Sequence, residues 1–480
     1  MHDAAANTVD PRLAEVERRF WSMHDQSRAE APSSEAERRG LLCALRRVIS
    51  ASTPMFVEAI AQDFGHRSQS ETLMAEILPA LLMIGSALGN LKAWMRPEKR
   101  GTSLLFWPAR NEVHRQPKGV VLIISTWNYP LQLTVGPLAA ALAAGNRVVI
   151  KPSEYTPACA ELLRDMIRAT FDRDRVDVVV GGLDLAKAFT RVRWDHLLYT
   201  GNPAVGREIA KAAAEQLVPV TLELGGKCPA ILADDSVDAE SVKQILQTKT
   251  VKNGQMCISV DYCLVPRERL EDFARIAAEH VREQMAGYCA SDSCTGIISE
   301  RHMERIQGLL DEAQSRGADV RILQDGGDAD PASRQLPLSL VVDPPDDLGL
   351  MQEEIFGPIL PVKPYDDLDE AIRHVNGGER PLALYVFSKD EAVADDVLRR
   401  TTSGGACVNT SGAHGALPSL PFGGIGQSGS GRHHGVEGFR EFSNLRGVFV
   451  RGEGDLIDAF APPYGPEAQA VVDAGFAGAG

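Results

Sequence analysis

The 480-residue chain has no excess of positive charge: 65 Asp and Glu stand against 50 Lys and Arg, a formal net charge of −15. An acidic protein repels nucleic acid and anionic membrane, so no nucleic-acid partner is expected, and an anionic ligand must be held by local donors. No run approaches the roughly 18–20 apolar residues that cross a bilayer. The nearest, 135–145, is short and carries Pro137, so no membrane span is expected. The first twenty residues, MHDAAANTVDPRLAEVERRF, lack the basic region and apolar core of a secretory signal. The tail, rich in Ala, Gly and Pro, reads as frayed and not anchoring. Of the eight cysteines no two stand as CxxC, and none groups with histidine at zinc spacing. Neither a metal site nor a disulfide frame is therefore expected, and reduced thiols in a cytoplasmic protein are the default reading. Internal repeats are absent as well. What remains is an ordinary globular composition, enough chain for about two to four domains, and thiols free to act as nucleophiles.

The first hundred residues read as helices, with apolar residues three and four apart over 35–63 and 71–95. Pro54 and Pro79 should each kink a helix or mark its restart. From residue 119 the pattern changes. Short apolar runs at 120–125, 147–151, 176–180, 196–199 and 219–223 alternate with helical stretches at 131–144, 157–171, 184–190 and 203–214. Five strands alternating with helices predict an α/β fold with a doubly wound, mainly parallel sheet. Gly225-Gly226 breaks the pattern, and a second α/β stretch runs over 227–410. It carries helices at 241–251, 267–285 and 389–400, strands at 260–265 and 384–387, and a polar loop at 324–337. Strands near 112–116 and 446–451 predict a small bridging β arm, whose free edges favour pairing between subunits.

Several stretches carry chemistry. In His196-Leu-Leu-Tyr-Thr-Gly201-Asn202-Pro203-Ala-Val-Gly206 a strand turns into a helix, with Asn202 suited to cap it and Pro203 to its first turn. Such a helix start can face a pyrophosphate, or it is an ordinary tight turn, since the spacing is not GxGxxG. Lys151-Pro-Ser-Glu154 follows a strand, where ligands of open sheets collect. That pair can hold ribose hydroxyls or be a solvated loop. Trp127-Asn128-Tyr129-Pro130 ends another strand, and the Asn128 amide is either an oxyanion donor or a turn residue. Cys257 sits in the loop Asn253-Gly-Gln-Met-Cys257-Ile-Ser. A loop thiol beside backbone N–H groups can be partly ionised and nucleophilic, against the common alternative of inert packing. Cys43, Cys263 and Cys407 lie in helical or strand-like runs and suit the role less. Glu223, in Thr-Leu-Glu223-Leu-Gly-Gly-Lys, is an acid in an apolar strand. It is either a desolvated base or an outward-facing strand acid. Glu353-Glu354-Ile-Phe356-Gly-Pro358 leads into a turn and can equally be a solvated loop.

Taken together, the stretches TWNYP, KPSE, YTGNPAVG, LELGGK, GQMC, EEIFGP and PFGGIGQSGSGR resemble the aldehyde dehydrogenase superfamily, in its order and at its separations, over about residues 35–450. DFGHRSQSETLMAEI, GQMCISVDY and GRHHG resemble its class 3-like branch, which includes coniferyl aldehyde dehydrogenases. The resemblance implies two interleaved α/β domains with a small bridging and oligomerisation β arm. Residues 1–226 would hold the N-terminal helices and the Rossmann-like NAD(P)-binding domain, 227–410 the catalytic domain, and 411–480 a return segment with an oligomerisation strand. It implies that Cys257 attacks an aldehyde, that Asn128 and the Cys257 backbone N–H hold the oxyanion, and that Glu223 activates the water that hydrolyses a thioester. Glu354 and Phe356 would position the nicotinamide ribose. Lys151 and Glu154 would bind the adenosine ribose, Trp127 would line the same cleft, and Gly201, Asn202 and Gly206 would belong to the pyrophosphate turn. The implied cofactor is NAD, with NADP open: the Glu154 carboxylate would repel a 2′-phosphate, and Lys151 offsets it. A homodimer and an aromatic or medium-to-long-chain aldehyde are implied too.

Three positions depart from the family pattern. Asn202 stands where serine is usual, which bears on cofactor contacts. Cys228 replaces the serine of LGGKSP and is a candidate second reactive thiol. Ser411-Gly412-Ala413 is smaller than usual and would widen a substrate funnel. Two rivals remain at this level. An acyl-coenzyme A-forming relative would often lack the glutamate of LELGGK, which is present here. A non-catalytic binding or structural protein on the same fold should have lost Cys257, Asn128 or Glu223, all of which are present.

Overall fold

The computed structural model of the chain describes residues 11–103, 106–324, 333–453 and 457–477. The helical opening is as expected, with the two prolines acting as punctuation. Helices Glu35–Ala51 and Thr53–Phe64 bend by 65° about Ser52, with Pro54 in the first turn of the second, where its missing N–H is no loss. Pro79 sits in the first turn of Leu78–Met95, directly after a π-helical turn at Leu73–Ile77. The continuous helix Gln69–Met95, 27 residues, is long and apolar enough to cross a membrane by length and composition, with half of its apolar window buried. It packs on helices Glu35–Ala51 and Gln132–Ala144, and that packing explains its apolar composition.

Three sheets organise the rest. The arm begins with strands β1 (Glu98–Arg100) and β2 (Arg110–Pro117), paired antiparallel. The first large sheet is built from β3 (Val120–Ile124), β4 (Arg147–Lys151), β5 (Val176–Val178), β6 (His196–Gly201) and β7 (Val220–Leu224), all parallel. β3 and β4 are buried at every position, as a strand covered on both faces must be. The second large sheet comprises β8 (Pro229–Leu232), β9 (Tyr262–Pro266), β10 (Asp319–Ile322), β11 (Ser339–Val342), β12 (Ile359–Tyr365), β13 (Ala383–Phe387) and β14 (Gly405–Val408). Its order is β10-β11-β12-β9-β8-β13-β14, with only β10 antiparallel. The chain then returns. β15 (Gly429–Ser430) pairs antiparallel with β7, and β16 (Ser443–Val450) joins β2 along its whole length. The fold is thus the interleaved α/β arrangement expected.

Most of the polar loop expected at 324–337 lies outside the described residues. The tail read as frayed contains a helix, Pro466–Ala477. The strand order of the first sheet, β15-β7-β6-β3-β4-β5, positions the site. From β3 the chain winds outward through β4 and β5, then comes back to β6 on the other side of β3. A crevice opens beyond the carboxyl ends of β3 and β6, the position at which open α/β sheets bind ligands.

Candidate active site

A cleft of about 1720 Å³ opens at that crevice and runs between the two large sheets. Trp127 and Asn128 reach it from the end of β3, Gly201 and Asn202 from the end of β6, and Glu223 from β7. Cys257, Glu354 and Phe356 face them from the second half. Eight of the eleven residues singled out in the sequence therefore line one space. Lys151, Glu154 and Gly206 do not line it. Lys151 is fully buried and donates to the Glu154 carboxylate at 2.6 Å, while the neighbouring Tyr155 does reach the cleft. Gly206 is a packing glycine, because a Cβ there would lie 2.7 Å from Leu224 Cδ2. The helix Pro203–Glu215 begins as expected, with Pro203 in its first turn and the Asn202 side chain accepting the Val205 N–H at 2.9 Å.

The loop that carries Cys257 is more constrained than a helix end. Helix Ala239–Thr250 stops earlier than expected, and Lys252, Asn253 and Gly254 adopt left-handed conformation, φ 51°, 53° and 77°. Non-glycine residues there cost on the order of 1–3 kcal/mol each unless their surroundings hold them. The holding groups are identifiable. Glu71 accepts the Lys252 N–H at 2.8 Å, and Asn253 Nδ2 donates to the Leu336 carbonyl at 3.2 Å. Gln255 bridges the loop, donating to Lys252 O and Gly296 O and accepting from Ile298 N. Gly254 has no room for a side chain: a Cβ would sit 2.3 Å from the Gly357 carbonyl oxygen. This backbone-on-backbone contact seats the cysteine loop against the Glu353–Pro358 turn.

That turn is fastened separately. Lys227 Nζ donates to Leu350 O at 2.8 Å and Glu353 O at 3.0 Å and is paired with Asp261. Asp261 in turn accepts the Ile355 N–H at 3.0 Å. The fastening puts the Glu354 carboxyl group over Gly225, where a Cβ would come within 1.9 Å of Glu354 Oε2. The Gly226 N–H donates to this carboxyl group, while Glu354 Oε1 is buried with no partner among the described residues. Phe356, at φ 51°, packs edge-on to Trp127 with ring centroids 5.3 Å apart.

Sequence reasoning missed the cluster beneath these loops. Arg67 and Glu76 are fully buried and paired at 2.9 Å, and Arg67 also donates to Glu71 at 3.1 Å. Glu76 Oε2 accepts the N–H groups of Leu131 and Gln132, at 3.2 and 2.9 Å, the start of the helix after Asn128. Lys252 Nζ donates to the Asn128 carbonyl at 2.5 Å. The same few charges thus fix both the Asn128 turn and the Cys257 loop. Arg67, Glu71 and Glu76 lie within DFGHRSQSETLMAEI, a stretch that carries the branch resemblance but no chemistry of its own. On a helix such residues read as a solvated face, and only their mutual spacing hints at pairing.

Electrostatically the cleft corrects one expectation. The Cys257 thiol is not eased toward ionisation. Burial pushes it up to about 12, the Glu354 and Glu223 carboxyls add to this, and Lys252 opposes it. Burial and the nearby Asp261 raise Glu354 to about 8. Glu223 is raised well above the usual carboxylate range, mainly by burial, with Glu441 adding and Arg432 opposing. The backbone N–H groups invoked from sequence are present, since the Cys257 N–H bonds the thiol, but burial outweighs them. Asn128 Nδ2 donates to Gln255 O at 3.1 Å, so its side chain is held beside the cysteine loop. Cys228 is fully buried, donating to the Cys257 carbonyl at 3.3 Å and accepting from Ala383 N at 3.3 Å. It supports the loop from behind and does not reach the cleft. Ser411, expected in a substrate funnel, is turned to Thr248 and the Gln244 carbonyl.

Two measurements check this arrangement. Glu76→Gln leaves Arg67 short of a counter-charge in a dry site, and such a change costs about 3–5 kcal/mol. A fall of several degrees in the unfolding midpoint is expected, and an unchanged midpoint would contradict the cluster's role. Alkylation of Cys257 by iodoacetamide, read by peptide mass spectrometry in the cofactor-free protein, should be slow at pH 7. It should rise about tenfold per pH unit toward pH 10, because only the thiolate reacts. A plateau near pH 8 would mean a thiol much more acidic than described.

The comparisons with known proteins agree with this geometry. The profile of the Aldehyde dehydrogenase family matches residues 6–448. A probable coniferyl aldehyde dehydrogenase of Pseudomonas aeruginosa is 45% identical over 431 residues, 90% of each chain. The coniferyl aldehyde dehydrogenase of a Pseudomonas species is 39% identical over 413 residues, 85% of each chain. Among solved structures, the substrate-bound state of Staphylococcus aureus AldH superposes with a TM-score of 0.90 at 33% identity, covering 96% of this chain and 99% of that one. A Mycobacterium tuberculosis aldehyde dehydrogenase complexed with NAD+ gives 0.83 at 28% identity, covering 92% and 91%. This chain belongs to the aldehyde dehydrogenase family.

Proposed function

We propose that the protein oxidises an aldehyde to its carboxylic acid through a thioester on Cys257, hydrolysed by water that Glu223 activates. The supporting observation is that a thiol, an amide donor and a desolvated carboxyl group (Cys257, Asn128 and Glu223) line one cleft. Cys257 Sγ attacks the carbonyl carbon. The Asn128 side-chain amide and the Cys257 N–H stabilise the oxyanion that forms. A nicotinamide cofactor, when bound, would supply the hydride acceptor for oxidation of the Cys257 adduct to the thioester. Glu223 then takes a proton from water as the water oxygen adds to the thioester carbon, and loss of the cysteine sulfur releases the acid.

A nicotinamide dinucleotide suits the residues present. Glu354 offers an unpartnered buried oxygen to a ribose hydroxyl, and the helix start at Asn202–Pro203 offers N–H groups to a pyrophosphate. We assign NAD, with NADP open, since the Glu154 carboxylate is matched by Lys151 beside it. The first large sheet would carry the cofactor and the second the nucleophile. The free edge of β16 suits pairing with a second copy in a homodimer. The substrate would be an aromatic aldehyde such as coniferyl aldehyde, after the names of the relatives, or a medium-to-long-chain aliphatic one. Eight free thiols fit a reducing, cytoplasmic setting.

Absorbance at 340 nm with NAD or NADP over coniferyl aldehyde, benzaldehyde, hexanal and acetaldehyde tests this reading. Cys257→Ala should lose turnover by roughly 10⁴-fold or more, and turnover that survives would overturn the assignment. Glu223→Gln should keep the first turnover and lose the later ones by about 10²–10⁴-fold. The sign of the pH dependence comes from burial. Glu223 is a base only when ionised, and burial raises its pKa, so its ionised fraction grows as pH rises. Thioester hydrolysis should therefore accelerate with rising pH. Acyl-coenzyme A in place of the free acid, when coenzyme A is added, would favour acyl transfer over hydrolysis.

A further inference from the structure

The glycine-dense return segment ends in Arg432-His433-His434, which have no part in the thioester chemistry as written. His433 is tied to Phe422 by a pair of backbone hydrogen bonds of 2.8 Å each. Its ring meets Phe422 and His434 at centroid distances of 5.3 and 4.4 Å. This rigid seat presents His433 to the cleft beside Glu223, and both residues line it. His433 Nε2 lies 3.9 Å from Glu223 Oε1, and both side chains are 2% exposed. Among the described residues neither carboxyl oxygen of Glu223 has a hydrogen-bond partner, nor does His433 Nδ1. Buried groups of complementary type that face one another without bonding call for an explanation. A closure of about 1 Å would bring them to hydrogen-bond distance.

We propose that His433 is the positioning residue of the hydrolytic step, holding the proton of the Glu223 carboxyl group so that Glu223 meets water as a carboxylate. This rests on the reading of Glu223 as the base. The proton moves from Glu223 to His433 Nε2, giving a carboxylate–imidazolium pair that carries one proton in all. Water adds to the thioester carbon as the carboxylate takes its proton. The C–S bond breaks, the leaving Cys257 sulfur takes one proton back, and the pair again carries one. The other ionisable groups near the pair are few. Arg432 and His434 come from its own segment, and Arg432 is bound to the Gly424 and Gly431 carbonyls. Glu441, held by the Thr221 hydroxyl, lies on the β7 side of Glu223. Cys257 faces Glu223 from the nucleophile loop, and His414 acts on His434 from beyond Phe422. Burial pushes the resting His433 down to about 3 and leaves it neutral, so the transfer needs the charge of the forming Glu223 carboxylate, 3.9 Å away, to offset that burial.

The test uses full-length wild type, His433→Gln, His433→Ala and Glu223→Gln with NAD and one accepted aldehyde, in single turnover. NADH formation reports acylation, and rapid-quench acid release reports hydrolysis. His433→Gln should leave NADH formation unchanged and slow acid release about ten- to a hundredfold at pH 7. The deficit should shrink as pH rises and Glu223 ionises unaided. Added imidazole should restore acid release in His433→Ala, which carries the test if the Gln variant does not fold. Wild-type acid release and pH profile in both variants overturns the proposal. So does a loss of NADH formation that imidazole does not restore. If Glu223→Gln hydrolyses its thioester normally, the reading of Glu223 as base fails. If Glu223→Gln is impaired while the His433 variants behave as wild type, only the role of His433 fails.

Discussion

Arg67 has no access to water, and its guanidinium is held by two carboxylates, Glu71 and Glu76. Both functional loops hang from those acids. Glu76 receives the first N–H groups of the helix after Asn128, and Glu71 receives the N–H of Lys252, at the head of the cysteine loop. Such a cluster is a poor source of net stability, because desolvating three charges offsets most of their attraction. What it supplies is uniqueness. Each carboxylate is matched to a donor in a different segment, so no single loop can shift without leaving a charge unpaired. The left-handed run at Lys252–Gly254 depends on this restraint, since left alone those residues would relax.

Placement of the cleft is a matter of topology more than of local chemistry. Parallel strands wound in opposite directions from β3 leave a gap at their carboxyl ends. Any residue just after β3 or β6 therefore enters the same space. Glu223 reaches it from within β7, where one side of the strand is covered by the two-residue β15. The return of the chain from the second sheet to the first is thus what seals the carboxyl group and brings His433 against it. Gly254 against Gly357 and Gly225 under Glu354 show the same economy, with backbone standing where a side chain would hold the two halves apart.

Much of this was legible from sequence, and the pattern of what was not is informative. Buried strands such as Val120–Ile124 declare themselves by continuous apolar character, and alternation of strand and helix fixes a parallel sheet because crossovers need helices. The stretches ending at Asn128, Gly201 and Glu354 were found because strand ends and turns converge in this architecture. Lys151 and Glu154 sit at a strand end too, yet they turn to each other, and only Tyr155 beside them reaches the cleft. Helix Gln69–Met95 carries its charges and its apolar residues on one element, so periodicity gave nearly its extent, 71–95, but not the burial of Glu76. Interactions across 55 to 181 residues, such as Glu76 with Leu131 and Glu71 with Lys252, leave no local trace.

The ionisation of Cys257 is the sharper lesson. Backbone donors beside a loop thiol suggest a thiolate, but the sign of the shift is set by the balance of burial against charge. Burial is the first cause for Cys257, Glu223 and Glu354 alike. One property, burial, therefore shifts all three toward their protonated forms. The carboxyls also oppose ionisation of the thiol, so the nucleophile and the base resist being charged together. On the mechanism we propose, such a site takes its steps in sequence: the thiol would be consumed in the thioester before the carboxyl is needed as a base.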